Sequence, residues 1–317
     1  MPKAIERFRT GLIAGTFSLG LRGGVSGSVR QEVHDGDTLN VRTSGSFGVR
    51  FLAVDAPEMS FTLPGSRAFL GLSNSRWQDF LRDPFSSLHK PINPPLAPKL
   101  LKHLQARIGS DAALNHQRHA TAAEAFLEQE VEKDISELRQ DVASFRFFVA
   151  FAHEVMDRYG RMLGFVHPHE PKASTRKLSF NERLLEAGKV VPYLIWPNIN
   201  PFRSARTLMD AVIPPGKAAT FADGDAKLRQ CREWVKAARK RKIGLFQAKD
   251  SLRLLPFEVR YLAQRRPPDR WVIDLASNES VLIQPQNYIT VRNVEDRLFI
   301  PREYVPLFIE AGWKRQK

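Results

Sequence analysis

Between Gly27 and Val54 apolar and polar residues alternate: Val33, Leu39 and Val41 precede a Ser44-Gly45 turn, and Val49, Phe51 and Ala53 follow it. A period of two marks a half-buried strand, so this stretch predicts an antiparallel ribbon. Pro57 biases Ala56 away from helical geometry and closes the ribbon. From Met59 to about Arg118 the alternation is lost, prolines gather at Pro91, Pro94, Pro95 and Pro98, and the stretch reads as an insertion with a short helix near Leu100 to Ile108. Leu127, Val131, Ile135, Leu138 and Val142 then recur at steps of three or four, which predicts a long amphipathic helix packed on the ribbon.

Phe145, Phe147, Val149 and Phe151 return to alternation and lead as a strand into Asp157-Arg158-Tyr159-Gly160-Arg161. A second helix is predicted over Leu178 to Ala187, stopped by Gly188, and a third from Ala226 to Lys242. On that third helix Leu228, Cys231 and Val235 share one face, while Arg229, Arg232, Lys236, Arg239 and Lys240 gather on another. The basic face is open to two readings, a solvated surface or one that tracks phosphates. Beyond Phe246 short strands are expected at Trp271 to Ile273, Val281 to Ile283 and Leu298 to Ile300, with a helix from Pro301 to Ala311.

Charge narrows the partners. The 317 residues carry a formal net charge of +14, which favours a polyanion, nucleic acid before an anionic membrane surface. No apolar run reaches the roughly 20 residues that a membrane-crossing helix needs. Cys231 is the one cysteine, which excludes an intramolecular disulfide and a cysteine-based zinc site. Lys3, Arg7 and Arg9 ahead of the apolar stretch Gly11 to Leu21 resemble a short signal sequence. Thr16, Ser18 and Arg22 weaken that reading, so residues 1–26 are expected to be an N-terminal arm or a weak signal segment, with the cytoplasm slightly favoured over secretion.

The candidate chemistry lies in Asp35-Gly36-Asp37-Thr38 and Asp55-Ala56-Pro57-Glu58, with Arg50 between them and Arg161 downstream. An EF-hand starting at Asp35 fails, because Asn40 and Ser46 stand where glycine and glutamate are required. A P-loop fails for want of a Gly-Lys-Ser/Thr ending after Gly20 to Ser28. His167 and His169 lack the further ligands of a structural zinc site. Asp37 and Asp55 suit a hard cation such as Ca²⁺, Glu58 suits a base, and the arginines offer planar forks to phosphoryl oxygens. Each motif has a plainer reading as a turn or a solvated strand end. Arg50 lies five positions before Asp55, so strict alternation puts them on opposite faces, and a shared site requires the strand to twist or bulge.

In order and content these motifs resemble the staphylococcal nuclease (thermonuclease) family. The matching residues are Asp35 to Thr38, Val49 to Glu58 and Asp157 to Arg161, supported by Ala123 to Phe126, Asn181-Glu182, Tyr193, Pro197-Asn198 and Gly244 to Phe246. The resemblance implies an α+β fold: a five-stranded OB-fold β-barrel with packed helices over 27–246, interrupted by the insertion 59–118. Residues 247–317 would be a small C-terminal α/β module, either a second nucleic-acid contact or a docking site for another protein, and nothing in the family explains it. By the same resemblance Asp37, Asp55 and the main-chain carbonyl of Ala56 would bind Ca²⁺, Glu58 would be the general base, and Arg50 and Arg161 would stabilise the transition state. Arg158, Tyr159 and Tyr193 would contact substrate. The implied activity is Ca²⁺-dependent hydrolysis of DNA and RNA with little sequence preference, leaving 3′-phosphate ends. Ile195 stands where a second substrate-contacting tyrosine can occur, and Ala56 where threonine is common. The alternative is a nuclease-like module that binds nucleic acid or protein without cutting.

Overall fold

The computed structural model describes residues 5–7, 13–15, 17–19, 21–22, 25–26, 41–43, 47–142, 144–157, 161–169, 177–200 and 207–316. The chain divides into two units, one of residues 1–50 with 151–164, the other of 51–150 with 165–317. In the first unit lie the short strands β1 (Ile5–Arg7), β2 (Ile13–Gly15), β3 (Phe17–Leu19), β4 (Leu21–Arg22), β5 (Val25–Ser26) and β6 (Val41–Thr43). They pair antiparallel, β1 with β2, β3 with β6 and β4 with β5. Most of the predicted ribbon, 27–40, lies outside the described residues.

Strand β7 (Val49–Phe51) is separated from β8 (Ala53–Asp55) by a bend at Leu52, and Ala53 has φ 63°. The strand is thus interrupted between Arg50 and Asp55, where simple alternation fails. A left-handed conformation is costly for a residue with a Cβ, and the packing around it must supply the compensation. Asn181, fully buried, spans the break: its side-chain amide donates to the Leu52 carbonyl at 2.9 Å and its Oδ1 accepts from Val166 N–H at 3.1 Å. These bonds satisfy backbone groups that the bend would otherwise leave buried and unpaired.

In the second unit β9 (Ser60–Thr62) and β10 (Phe69–Gly71) form a hairpin within the expected insertion. Helices α1 (Ser75–Arg82) and α2 (Pro98–Gln105) follow, then α3 (Ala112–Glu137). Helix α3 starts earlier than the apolar stripe indicates, and its buried face is Ala112, Ala113, Asn115, His116, His119, Ala120 and Ala123. Leu127, Val131 and Ile135 are half-buried, and Val142, outside the helix, is 82% exposed.

Strands β11 (Phe147–Met156) and β12 (Met162–Pro168) join β7 in the order β11-β12-β7. Helix α4 (Phe180–Glu186) opens on a capping box, with Ser179 Oγ accepting from Glu182 N–H and the Glu182 carboxylate accepting from Ser179 N–H. After β13 (Val191–Ile195) come α5 (Leu208–Ala211), α6 (Ala218–Gly224) and α7 (Ala226–Arg241). Gly188 and Gly244 fix the crossing of α4 and α7. Leu245 N–H donates to the Gly188 carbonyl at 2.7 Å, and a Cβ on Gly244 would sit 2.0 Å from that oxygen.

The C-terminal residues form α8 (Pro256–Ala263), β14 (Trp271–Asp274), β15 (Val281–Leu282), β16 (Arg297–Ile300), α9 (Val305–Glu310) and β17 (Lys314–Arg315). They do not form a separate module. Strand β16 pairs in parallel with β13, so one sheet runs β14-β16-β13-β8 across the expected boundary at 246. The expected insertion is also part of this body: Leu72, Trp77, Leu81 and Leu100 share a core with Phe257, Leu262, Val272, Tyr288 and Phe299. The fold is α+β with open mixed sheets, and among the described residues no closed barrel forms.

Candidate functional site

Asp55 ends β8, held in register by antiparallel pairing to β13, where Val191 faces Asp55 and Tyr193 faces Ala53. Its side chain is 1% exposed, which demands a partner for a charged carboxylate. That partner is Arg260, from the middle of α8. Arg260 Nη1 donates to Asp55 Oδ1 at 3.0 Å and Nη2 to Oδ2 at 2.7 Å, a two-pronged pairing of guanidinium with carboxylate. The same Nη1 also donates to Glu58 Oε1 at 2.5 Å. Pro57, buried after the exposed Ala56, turns the chain so that both carboxylates meet one cation.

Glu58 is fixed from its backbone as well, since its N–H donates to Nε2 of His116 at 2.8 Å. His116 is fully buried on α3 and its pKa falls to about 3, chiefly through burial, with Arg260 adding to the effect and Asp55 opposing it. The ring is therefore neutral at physiological pH, with Nδ1 carrying the proton while Nε2 accepts. Burial also opposes the charge on Arg260, but the field of Asp55 and its hydrogen bonds outweigh that, and the guanidinium is held above its ordinary value.

A second tie delivers α8 to this place. Asn115 Nδ2 donates to Asp250 Oδ1 at 2.8 Å while Asn115 Oδ1 accepts from Arg253 N–H at 3.0 Å. His119 Nε2 lies 2.8 Å from the Asp250 carbonyl, and Arg118 Nη2 donates to Asp250 Oδ1 at 2.8 Å. One face of α3 thus anchors the segment leading into α8. The helix then starts at Pro256, where proline forgoes no bond, and Glu258 accepts from Leu255 N–H at 2.7 Å. Phe257, Val259, Leu262 and Ala263 bury the rest of α8, which leaves Arg260 little freedom beyond its own side chain.

Tyr193 is 4% exposed and sits in the core instead of lining a groove. Its ring stacks on Phe257 at 5.5 Å between centroids and 14° between planes, and Phe299 lies at 4.7 Å. Arg270 lies over the ring at 5.3 Å and donates to the hydroxyl. Burial pushes the phenol pKa up, and Arg270 and Arg260 oppose it. Ordering of substrate by this tyrosine would require α8 and β14 to leave.

Arg50 and Arg161 lie in the first unit. Arg50 is half-buried in β7, and Arg161 precedes β12, which β7 adjoins. The Arg161 guanidinium pairs with Asp157, Nε to Oδ2 at 2.8 Å and Nη2 to Oδ2 at 2.8 Å. Asp157 Oδ1 accepts from Arg161 N–H at 3.0 Å, and Met162 N–H donates to the Gly48 carbonyl at 3.0 Å. Asp37, Arg158 and Tyr159 lie outside the described residues.

The basic face of α7 is divided: Arg229, Lys236 and Lys240 are exposed, and Arg232 and Arg239 are half-buried in ion pairs. Arg232 Nη2 pairs with Asp296 at 2.8 Å and Arg239 Nη2 with Glu295 at 2.6 Å, while Arg229 donates to the Asp223 carbonyl. His167 is buried, with Nδ1 3.0 Å from the Lys177 carbonyl, and among the described residues no three His, Cys, Asp or Glu side chains gather to hold a metal. As the side chains stand, a divalent ion does not fit at Asp55 and Glu58. Both Asp55 oxygens and one of Glu58 are engaged by Arg260.

Arg260 and His116 are functional candidates that the motif pattern does not contain. One signal does exist: an arginine in the middle of a helix whose other faces are apolar requires a buried carboxylate. No known family, curated protein or solved structure matches the chain.

Proposed function

We propose that the chain hydrolyses phosphodiester bonds of nucleic acid as a nuclease of the staphylococcal type, with a β-barrel core of the kind the motif order implies. The observation that carries this reading is the convergence of Asp55 and Glu58 on a single cationic atom, Arg260 Nη1. Two carboxylates three residues apart, one nearly inaccessible and one 22% exposed, make an asymmetric pair. In such a pair the buried member holds a cation and the exposed member meets water.

In the proposed reaction Glu58 takes a proton from a water whose oxygen bonds to phosphorus, and the P–O5′ bond breaks, leaving a 3′-phosphate and an O5′ alkoxide that takes a proton from solvent water to become the 5′-hydroxyl. Arg50 and Arg161 donate hydrogen bonds to the phosphoryl oxygens as charge grows on them. The Arg161 contact requires its guanidinium to exchange Asp157 for phosphate. The net charge of +14 draws a polyanion to the protein.

The full-length protein incubated with single- and double-stranded DNA and with RNA, with Ca²⁺ and with EDTA, should release 3′-phosphate ends. Glu58→Ala should slow release about a hundredfold or more, the scale on which a preorganised catalytic group acts. Absence of cleavage of every substrate in both conditions would refute the reading. The Arg260 contact itself favours a second one, a module that binds nucleic acid without cutting. Salt-sensitive retention of intact oligonucleotides would then be the result.

A further inference from the structure

We infer that Arg260 is the resident cation of the Asp55–Glu58 pair, a built-in replacement for a divalent ion contributed by the C-terminal residues. The inference concerns the same carboxylates as the proposed hydrolysis and rests on reading them as a cation-holding pair. It is tested by ion binding, so the nuclease reading can fail without it.

Three observations carry it. Arg260 meets Asp55 with both prongs and Glu58 with one, at 3.0, 2.7 and 2.5 Å, so the oxygens that would ligate an ion already surround a positive charge. The guanidinium carries its charge at any working pH, because an arginine side chain does not deprotonate in that range. Its helix cannot readily withdraw, because Phe257, Val259, Leu262 and Ala263 are packed in the core and Glu258 is tied to Leu255, His103 and Tyr288. A divalent ion would therefore have to displace a two-pronged buried partner whose backbone is fixed, and to coexist with that partner's charge at van der Waals distance.

Arg260 thus offsets one of the pair's two negative charges and holds the oxygens an ion would need. Its role toward a phosphodiester is to hold Glu58 aimed, as a positioning residue acting through that carboxylate. Cleavage by the wild-type chain is then indifferent to EDTA, and metal dependence appears only when the guanidinium is removed.

The test compares the wild type with Arg260→Gln and Arg260→Lys, using Tb³⁺ luminescence and Ca²⁺ calorimetry on the full chain. The wild type should show no site whose occupancy depends on Asp55. Arg260→Gln should gain Ca²⁺ affinity at least about tenfold, lost again in Arg260→Gln with Asp55→Asn, and Ca²⁺ should raise its melting temperature but not that of the wild type. Arg260→Lys keeps the charge without the fork and should fall between the two. If Arg260→Gln does not fold, the wild type and the lysine variant still decide. Ca²⁺ binding by the wild type that Asp55→Asn removes, or equal affinity across the series, would overturn the inference.

Discussion

Asp55 and Glu58 show how much a short motif can disclose. The spacing Asp55-Ala56-Pro57-Glu58 indicates two carboxylates meeting at a turn, and they do meet, on Arg260. The cation they meet was not legible, because it comes from about 200 residues downstream on a helix without a recognisable motif. His116 was hidden for a related reason: on α3 it occupies a face that apolar periodicity cannot detect, its burial justified by one hydrogen bond from Glu58 N–H. That bond makes a pH prediction. Because the folded-state pKa of His116 is lowered to about 3 from an ordinary 6.5, the unfolded chain binds the extra proton first as pH falls. The contribution is complete above pH 6.5 and is lost progressively below it, by up to about 1.4 kcal/mol per pH unit. Melting temperature followed from pH 7 to pH 4 should therefore fall more steeply for the wild type than for His116→Gln. Some slope should remain, since burial lowers the pKa of His119 too. Parallel curves for the two proteins would remove His116 from the explanation.

At the scale of elements, periodicity located α2, α4, α7, β11, β14, β15 and β16 within a few residues, since each has a local cause in its own sequence. A break between Arg50 and Asp55 was the condition for a shared site, because the two fall on opposite faces of an unbroken strand, and the chain does bend at Leu52 with Ala53 left-handed. Helix α7 is the instructive difference. Its basic face offers solvent and phosphate as partners, yet Arg232 and Arg239 reach Asp296 and Glu295 beside β16. A helical wheel shows which residues share a face but not what that face meets. The Glu295 carboxylate is 3% exposed but Arg239 is 38% exposed, so solvent screens the pair and Arg239→Ala should destabilise the fold by about 1–2 kcal/mol in urea unfolding. Lys236→Ala and Lys240→Ala should leave stability within about 0.5 kcal/mol and instead lower the salt dependence of nucleic-acid binding by about one ion each. A stable Arg239→Ala with reduced salt dependence would return that residue to the phosphate-facing surface.

At the scale of the whole molecule, the α+β class was legible, and the sheet that joins residues 247–317 to β13 was not. The motifs end at Phe246, which made 247–317 look like an addition, whereas the pairing of β16 with β13 joins Leu298 to Leu194 and Phe299 to Ile195 across a hundred residues. Long-range parallel pairing leaves no periodic trace in either strand, so only the assembled sheet reveals it. The consequence is physical dependence. Without 247–317, β13 loses one of its two neighbours, Tyr193 loses Phe257, Phe299 and Arg270, and the Asp55 carboxylate loses both of its hydrogen bonds from Arg260. A chain ending at Phe246 should therefore lose its cooperative thermal transition and its near-ultraviolet circular dichroism, even though it retains every residue of the nuclease-like motifs. A truncated chain that unfolds cooperatively at the melting temperature of the full protein would show instead that the sheet tolerates the loss of β14 and β16. Arg260 would then be a removable attachment to an independently folded acid pair. Partial rescue by adding 247–317 as a separate polypeptide would locate the dependence in that interface, since the two pieces would have to rebuild the β13–β16 pairing and the Asp55–Arg260 contact together.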